Sequence, residues 1–308
     1  MTYRPITALA AFLVVCCFLV APRANAQATT GPATRPSPLT IEFVRRENPD
    51  QRIVVARVDL ADPRVSLRVG VAGPDPDGPG GEWETTLRPT SAIAADYGFD
   101  LAINCVFFAH KTDHPDQKLY LAGEPARSVN LLVDDGKPLT AARTGASLVL
   151  EAGNKAWIES VRAVPKGAVT VVSGNALLLL RGRDLTDPKD AVRHPRTALG
   201  LTPDRRTLVI LTVDGRREGW SIGMTSSELA AEMRAQGCAD AVNLDGGGST
   251  TIVGKQPDGT QKVLNLPSDG SALPIPISIE RPVPYVMGVT IAPDAGPATR
   301  PAGGVAQP

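Results

Sequence analysis

The 308-residue chain has little aromatic content (4%), no net formal charge, three histidines and four cysteines. Balanced charge excludes a dedicated nucleic-acid binder, which carries a basic stripe. The one long apolar run, Ile6 to Val20, is about 15 residues, short of the roughly 20 that a membrane span requires. With Arg4 ahead of it and Ala24-Asn25-Ala26 behind, the run reads as a secretory signal over 1–26, cleaved after Ala26. No small residue directly precedes Cys16, so a lipoprotein signal does not fit. Cleavage removes Arg4, Arg23, Cys16 and Cys17. The expected product is exported, periplasmic or extracellular, slightly acidic, and without a stable membrane span. It keeps only Cys105 and Cys238, which leaves a disulfide, two buried thiols or a reactive thiol open.

Glycine (29) and proline (28) are plentiful, which implies many turns and excludes a coiled coil or plain helical bundle. The hexapeptide Gly31-Pro32-Ala33-Thr34-Arg35-Pro36 recurs as residues 296–301, and both copies sit in Ala/Pro/Gly-rich stretches with nothing to bury. A linker over 27–39 and a tail over 293–308 are therefore expected to be disordered, leaving a folded domain over 40–292.

Strand patterns dominate that domain. Ile53–Leu60 and Val65–Val69 read as paired strands around the turn Ala61-Asp62-Pro63-Arg64, and Leu101–Phe108 as one apolar strand. Further strands are predicted over 129–133, 147–151, 156–163, 169–172, 176–180, 196–201, 207–213, 241–245, 250–253, 261–264 and 284–291. Two helices are clear. One covers about 89–97, with Pro89 in its first turn and Gly98 after it. The other covers 226–236, with Thr225 and Glu228 spaced for a capping box and Gly237 at its end. The predicted fold is α+β, a strand-rich single domain with mixed sheets and a few helices.

The most informative stretch is Asn243-Leu244-Asp245-Gly246-Gly247-Gly248-Ser249-Thr250. On a strand, Asn243 and Asp245 point to the same side. Three glycines permit backbone angles closed to other residues, let a ligand approach the main chain and can aim N–H groups at an anion. A hairpin turn capped by Asp and Ser is the plain structural alternative. His110 and His114, four apart, read as a solvated polar loop, so no metal and no cofactor is assigned.

This stretch resembles the signature of the phosphodiester glycosidase family. In the family's order, Ala102–Phe108 resembles an Asn-Gly-Gly-Phe-Phe strand and Val172-Ser173-Gly174-Asn175 a Ser-Gly segment. His194–Gly200 resembles a Pro-Arg-Thr-Ala-x-Gly segment, and Thr212–Arg216 the strand before the second helix. The resemblance covers about 100–253, and more weakly from residue 50. It implies an exported hydrolase that cleaves a sugar-1-phosphodiester bond in an extracellular or envelope glycan, such as an exopolysaccharide, with a carbohydrate or glycosyl-phosphate as its partner. The rival is a non-catalytic glycan-binding or envelope-assembly protein with the same pocket. Cys105 and Val106 replace two small residues of the family pattern. If they floor the pocket they narrow it, so the family's N-acetylglucosamine preference is not carried over.

Such a bond breaks through an oxocarbenium-like transition state, which calls for a carboxylate near the anomeric carbon and donors on the phosphate. Asp245 is the first candidate carboxylate and Asp214 the second; each also suits a turn. Arg196 can hold two phosphate oxygens at once. Asn104, Gly174, His194, Asn243, Gly246, Gly247, Gly248, Ser249 and Thr250 complete the candidate substrate-binding set.

Overall fold

The segment Thr207–Val213 is apolar nearly throughout because both faces of its sheet are covered. Val209, Leu211 and Val213 pack with Leu229, Ala230 and Met233 of the long helix. Leu208 and Ile210 face the opposite way, into the main core. This two-sided burial hides the alternation that an open sheet displays. In the computed structural model, which describes residues 35–112, 119–269 and 278–294, this segment belongs to a seven-stranded sheet. Across that sheet run Leu39–Arg46, Gln51–Asp59, Thr207–Val213, Arg196–Leu201, Asp240–Asn243, Ala176–Leu180 and Arg183–Asp184.

Two five-stranded sheets pack against it. One orders Ala156–Val161, Gly145–Glu151, Ala168–Gly174, Leu132–Asp134 and Lys137–Pro138; the other orders Gln261–Val263, Ile252–Lys255, Leu101–Asn104, Tyr285–Ile291 and Val65–Val71. Val58, Leu67, Leu101, Leu148, Leu199 and Met287 bring all three sheets into one core. A small fourth sheet pairs Thr85–Thr86, Pro125–Ser128 and Phe108–His110. The described residues from Pro36 onward form one unit.

The two α-helices among the described residues lie where the capping chemistry put them. Thr90–Tyr97 starts after Pro89 and ends at left-handed Gly98 (φ 66°). Ser226–Ala235 carries the full Thr225/Glu228 capping box. With only these helices the fold is mostly β, more so than the α+β label conveys. Its strand pairings are antiparallel, so the expected mixed sheets are corrected.

Two further corrections concern pairing. Gln51–Asp59 and Val65–Val71 do not pair with each other: the first bonds to Leu39–Arg46 and Thr207–Val213, the second to Tyr285–Ile291. The Asp62 turn carries the chain from one sheet to another, and alternation predicts a strand without naming its partner. The run 101–108 is likewise divided: its strand ends at Asn104, and Phe108 begins a strand of the small sheet. The strand Leu39–Arg46, not among the predicted ones, is an edge with Ile41 and Phe43 exposed, which leaves little buried pattern in its sequence.

The signal, the 113–118 stretch with His114, and most of the predicted linker and tail lie outside the described residues. No described helix is long and apolar enough to cross a membrane.

Candidate active site

Asp240–Asn243 runs between Ala176–Leu180 and Arg196–Leu201 in the seven-stranded sheet. Ile252 then enters the neighbouring sheet beside Ile103. The intervening signature therefore crosses from sheet to sheet. Leu244 N donates to Thr197 O (2.9 Å) on one side, and Asp245 N to Cys105 O (3.0 Å) on the other. Asn104 ties the crossing together. Its Nδ2 donates to Asp245 O (2.6 Å), while its Oδ1 accepts from Thr197 Oγ1 (2.8 Å) and Thr251 N (3.2 Å). A buried amide requires such partners, and here they come from the protein itself.

At the crossing opens a cleft of about 280 Å³. Asp245, Gly246, Gly247, Asn243, His194 and Arg196 line it, joined by Phe107, Asn175, Arg216 and Arg281. The glycines have steric reasons. Gly247 is left-handed (φ 61°), and a Cβ there would come within 2.9 Å of Arg216 Nη2. A Cβ on Gly248 would overlap Arg281 Nη2 and Asp269 Oδ1. Two arginines thus approach the turn more closely than any side chain would permit. Arg216 is itself left-handed (φ 61°), an unusual backbone state for a residue with a Cβ, of the kind that gathers at functional sites.

The electrostatics single out Asp245. Burial pushes its carboxyl up to about 6, against the opposing pull of the Ser249 hydroxyl, Arg281, its own turn amide Gly246 N and Arg216. Oδ1 accepts from Gly246 N (2.9 Å). Ser249 lies near enough to favour the charged form, although its buried hydroxyl makes no hydrogen bond of good geometry. Burial, then the Arg196 and Arg216 charges, lower the pKa of His194, so at neutral pH its ring is uncharged. Arg216 Nη2 reaches His194 Nδ1 at 3.4 Å, which leaves the ring proton on Nε2. Asn243 Nδ2 donates to Asn175 Oδ1 (2.8 Å). One carboxylate, three arginines, a neutral imidazole and two amides make a cleft suited to an anionic, hydroxyl-bearing ligand.

The profile of the family described as phosphodiester glycosidase matches residues 97–290, more than half of the chain. The chain belongs to the phosphodiester glycosidase family. The zebrafish N-acetylglucosamine-1-phosphodiester alpha-N-acetylglucosaminidase catalytic domain, auto-inhibited by its pro-peptide, has a similar fold (TM-score 0.57, 20% identity, 86% of this chain and 85% of that one). A Burkholderia pseudomallei K96243 protein described as exported is also similar (0.54, 17%, 78% and 74%), as is a Synechocystis protein (0.51, 13%, 82% and 61%). Among curated sequences, the SPbeta prophage-derived protein YomE of Bacillus subtilis strain 168 is 47% identical over 66 residues, 21% of this chain. The chain spans only 10% of that relative's length.

Within this phosphodiester glycosidase domain the predicted residues divide into three groups. Asp245, Asn243, Gly246, Gly247, His194 and Arg196 line the cleft. Asn104, Gly174, Gly248, Ser249 and Thr250 are buried behind it, with Gly174 pressed on the Asn243 carbonyl. Asp214 is elsewhere. It lines a separate, mainly apolar cavity with Phe43, Arg52 and Trp220, and it accepts from Trp220 Nε1 (2.9 Å), Asn265 Nδ2 (3.1 Å) and Leu266 N (3.0 Å). Its expected place beside Asp245 is corrected: the two carboxylates do not share a cleft.

Arg196 needs a similar revision. It lines the cleft, but its Nε donates to Met224 O (3.0 Å), its Nη2 to Val192 O (3.3 Å), and Asp190 lies 3.8 Å away. Arg216 and Arg281, which the sequence did not single out, also line the cleft. Arg216 follows the Val-Asp-Gly turn and carries a faint signal. Arg281 carries none, because only folding brings it back to the glycines.

Cys105 and Val106 are buried in the core and do not floor the cleft; Phe107 does line it. Cys105 and Cys238 are separate buried thiols, and burial pushes both up, Cys238 to about 12. His110 is no solvated loop residue: Nδ1 is 2.8 Å from Glu124 Oε2. Among the described residues no group of three His, Cys, Asp or Glu side chains is placed to hold a metal.

Proposed function

We propose that this protein is an exported hydrolase that cleaves a sugar-1-phosphodiester bond in an extracellular or envelope glycan. The observation that carries the reading is the single carboxylate of Asp245, poised near pH 6 in a cleft whose other charges are arginines. A simple glycoside leaves as an alkoxide and needs a protonated carboxyl beside the departing oxygen, so glycosidases ordinarily carry two carboxyl groups. A phosphate monoester leaves already stabilised as an anion. It needs cations rather than an acid, and one carboxylate then suffices.

In this scheme Arg216 and Arg281 hold the phosphate oxygens. The bond from the anomeric carbon to the phosphate oxygen breaks, and its electron pair departs with the phosphate. Ionised Asp245 stabilises the positive charge developing on the sugar and takes a proton from the water that replaces phosphate at that carbon. Neutral His194 offers Nε2–H to the substrate, and Asn175 and Asn243 offer amide groups to sugar hydroxyls. Family membership and the zebrafish enzyme's named substrate type support the same chemistry. Export is read from the leader-like residues 1–26. A pocket narrowed by Cys105 and Val106 would leave the binding-protein alternative some room. Neither side chain lines the cleft, which weakens that ground, while the Cys105 carbonyl accepts from Asp245 N beneath it.

The test is turnover of the mature protein beside Asp245→Asn on a panel of sugar-1-phosphodiesters and matched simple glycosides. Sugar release from the phosphodiesters alone, lost in the variant, is expected. Folded wild-type protein that binds glycan without turning over any substrate would return the assignment to a binding module.

A further inference from the structure

Arg281 is held on several sides before any ligand arrives. Asp269 accepts from its Nε (2.9 Å) and Nη2 (3.0 Å), a side-on pair that uses one edge of the guanidinium. The Tyr120 ring lies against its central carbon, 3.9 Å from centroid to Cζ. Gly248 offers no Cβ to push it away. Among the described residues Nη1 has no hydrogen-bond partner, and Arg281 lines the cleft beside Asp245 and Gly247. Tyr120 itself is not a lining residue. Its ring also stacks on His110, with centroids 4.6 Å apart and planes at 29°, and meets the edge of Phe108 at 5.8 Å. His110 is anchored in turn by Glu124, whose Oε2 also accepts from Leu121 N (3.1 Å).

A carboxylate fork alone keeps a guanidinium coplanar with the carboxylate, but the pair can still swing together about the Asp side chain. An aromatic face stacked on the guanidinium removes that freedom. A pre-set donor then binds its anion without first being ordered, which favours affinity. We infer that Tyr120 is a positioning residue for Arg281: its ring fixes the guanidinium plane so that the edge not taken by Asp269 faces the phosphate. The inference rests on reading the cleft as a sugar-1-phosphodiester site. The phenolic hydroxyl plays no part in it, since the ring face supplies the contact.

The test compares Tyr120→Leu, Tyr120→Phe and Arg281→Met, alone and combined. It measures kcat and KM on a sugar-1-phosphodiester, and binding of glucose 1-phosphate by calorimetry in the Asp245→Asn chain. Tyr120→Leu should raise KM about fivefold, the scale of one cation–π contact, with any fall in kcat smaller than that of Arg281→Met. Tyr120→Phe should restore the wild-type KM, and Tyr120→Leu should add nothing in the Arg281→Met chain. If Tyr120→Leu fails to fold, Tyr120→Gln at this half-buried position serves the same comparison. A wild-type KM in Tyr120→Leu, or an equal loss with Arg281 already replaced, overturns the positioning role and leaves the proposed function standing. Wild-type protein that neither turns over any sugar-1-phosphodiester nor binds glucose 1-phosphate overturns both.

Discussion

Asp245 and Asp214 look alike in sequence: each comes within two residues of the end of a buried strand, and each is followed by glycine. Burial raises the pKa of both. Their surroundings differ. Asp214 is 3% exposed and meets a ring nitrogen, a side-chain amide and a backbone N–H, which together claim both its oxygens. Asp245 opens into a cleft with one turn amide on Oδ1 and two guanidiniums nearby. A carboxylate whose lone pairs are all claimed holds structure together; one with free lone pairs, desolvated and facing cations, is available for chemistry.

The largest expected effect separates the two. Asp245→Asn should cut turnover about 10³-fold or more, the upper range for loss of a catalytic base or its charge, while circular dichroism stays native. Asp214→Asn should instead lower stability by about 2 kcal/mol, because its amide nitrogen would face a donor and leave a buried group unpaired. Denaturant unfolding measures that loss, and kcat/KM of the folded variant should stay within a few-fold of wild type. A catalytic collapse in Asp214→Asn with unchanged stability would break the contrast.

Next in size are the arginines. Arg216→Ala or Arg281→Met should each lower kcat/KM on phosphodiesters about 10- to 100-fold, the scale of one or two charge-assisted hydrogen bonds. Arg196→Ala should act mainly on stability, since its donors already serve Met224 and Val192. Steady-state kinetics beside melting curves distinguish these outcomes. Equal kinetic losses at all three positions would mean that Arg196 leaves its carbonyls to bind substrate.

A pH series sharpens the comparison further. Asp245 acts ionised and its folded-state value is about 6, so kcat/KM should fall as pH drops through that value. The stability sign is the reverse. A carboxyl raised on folding favours the folded state while protonated, and that contribution is lost as pH rises through about 6. Asp245→Asn should therefore gain melting temperature relative to wild type as pH increases from 4 to 7, on the order of a few degrees. A constant difference over that range would show that the carboxylate is not held raised.

Sequence alone determined the strand-rich character, both helices with their caps, and the near-contiguous part of the candidate cleft, Asn243 with Asp245 to Gly247. These are local matters: capping spacing, side-chain alternation, and a glycine run whose chemistry is carried within a few residues. Tertiary structure decided what contiguity could not express. It placed Asp214 in another cavity, turned Asn104 into a tie for the Asp245 backbone, buried Cys105 and Val106 in the core, and delivered Arg216 and Arg281 to the glycines. Pairing partners and the side of a sheet on which a distant side chain arrives depend on packing across the whole core, and no short window of sequence contains that information.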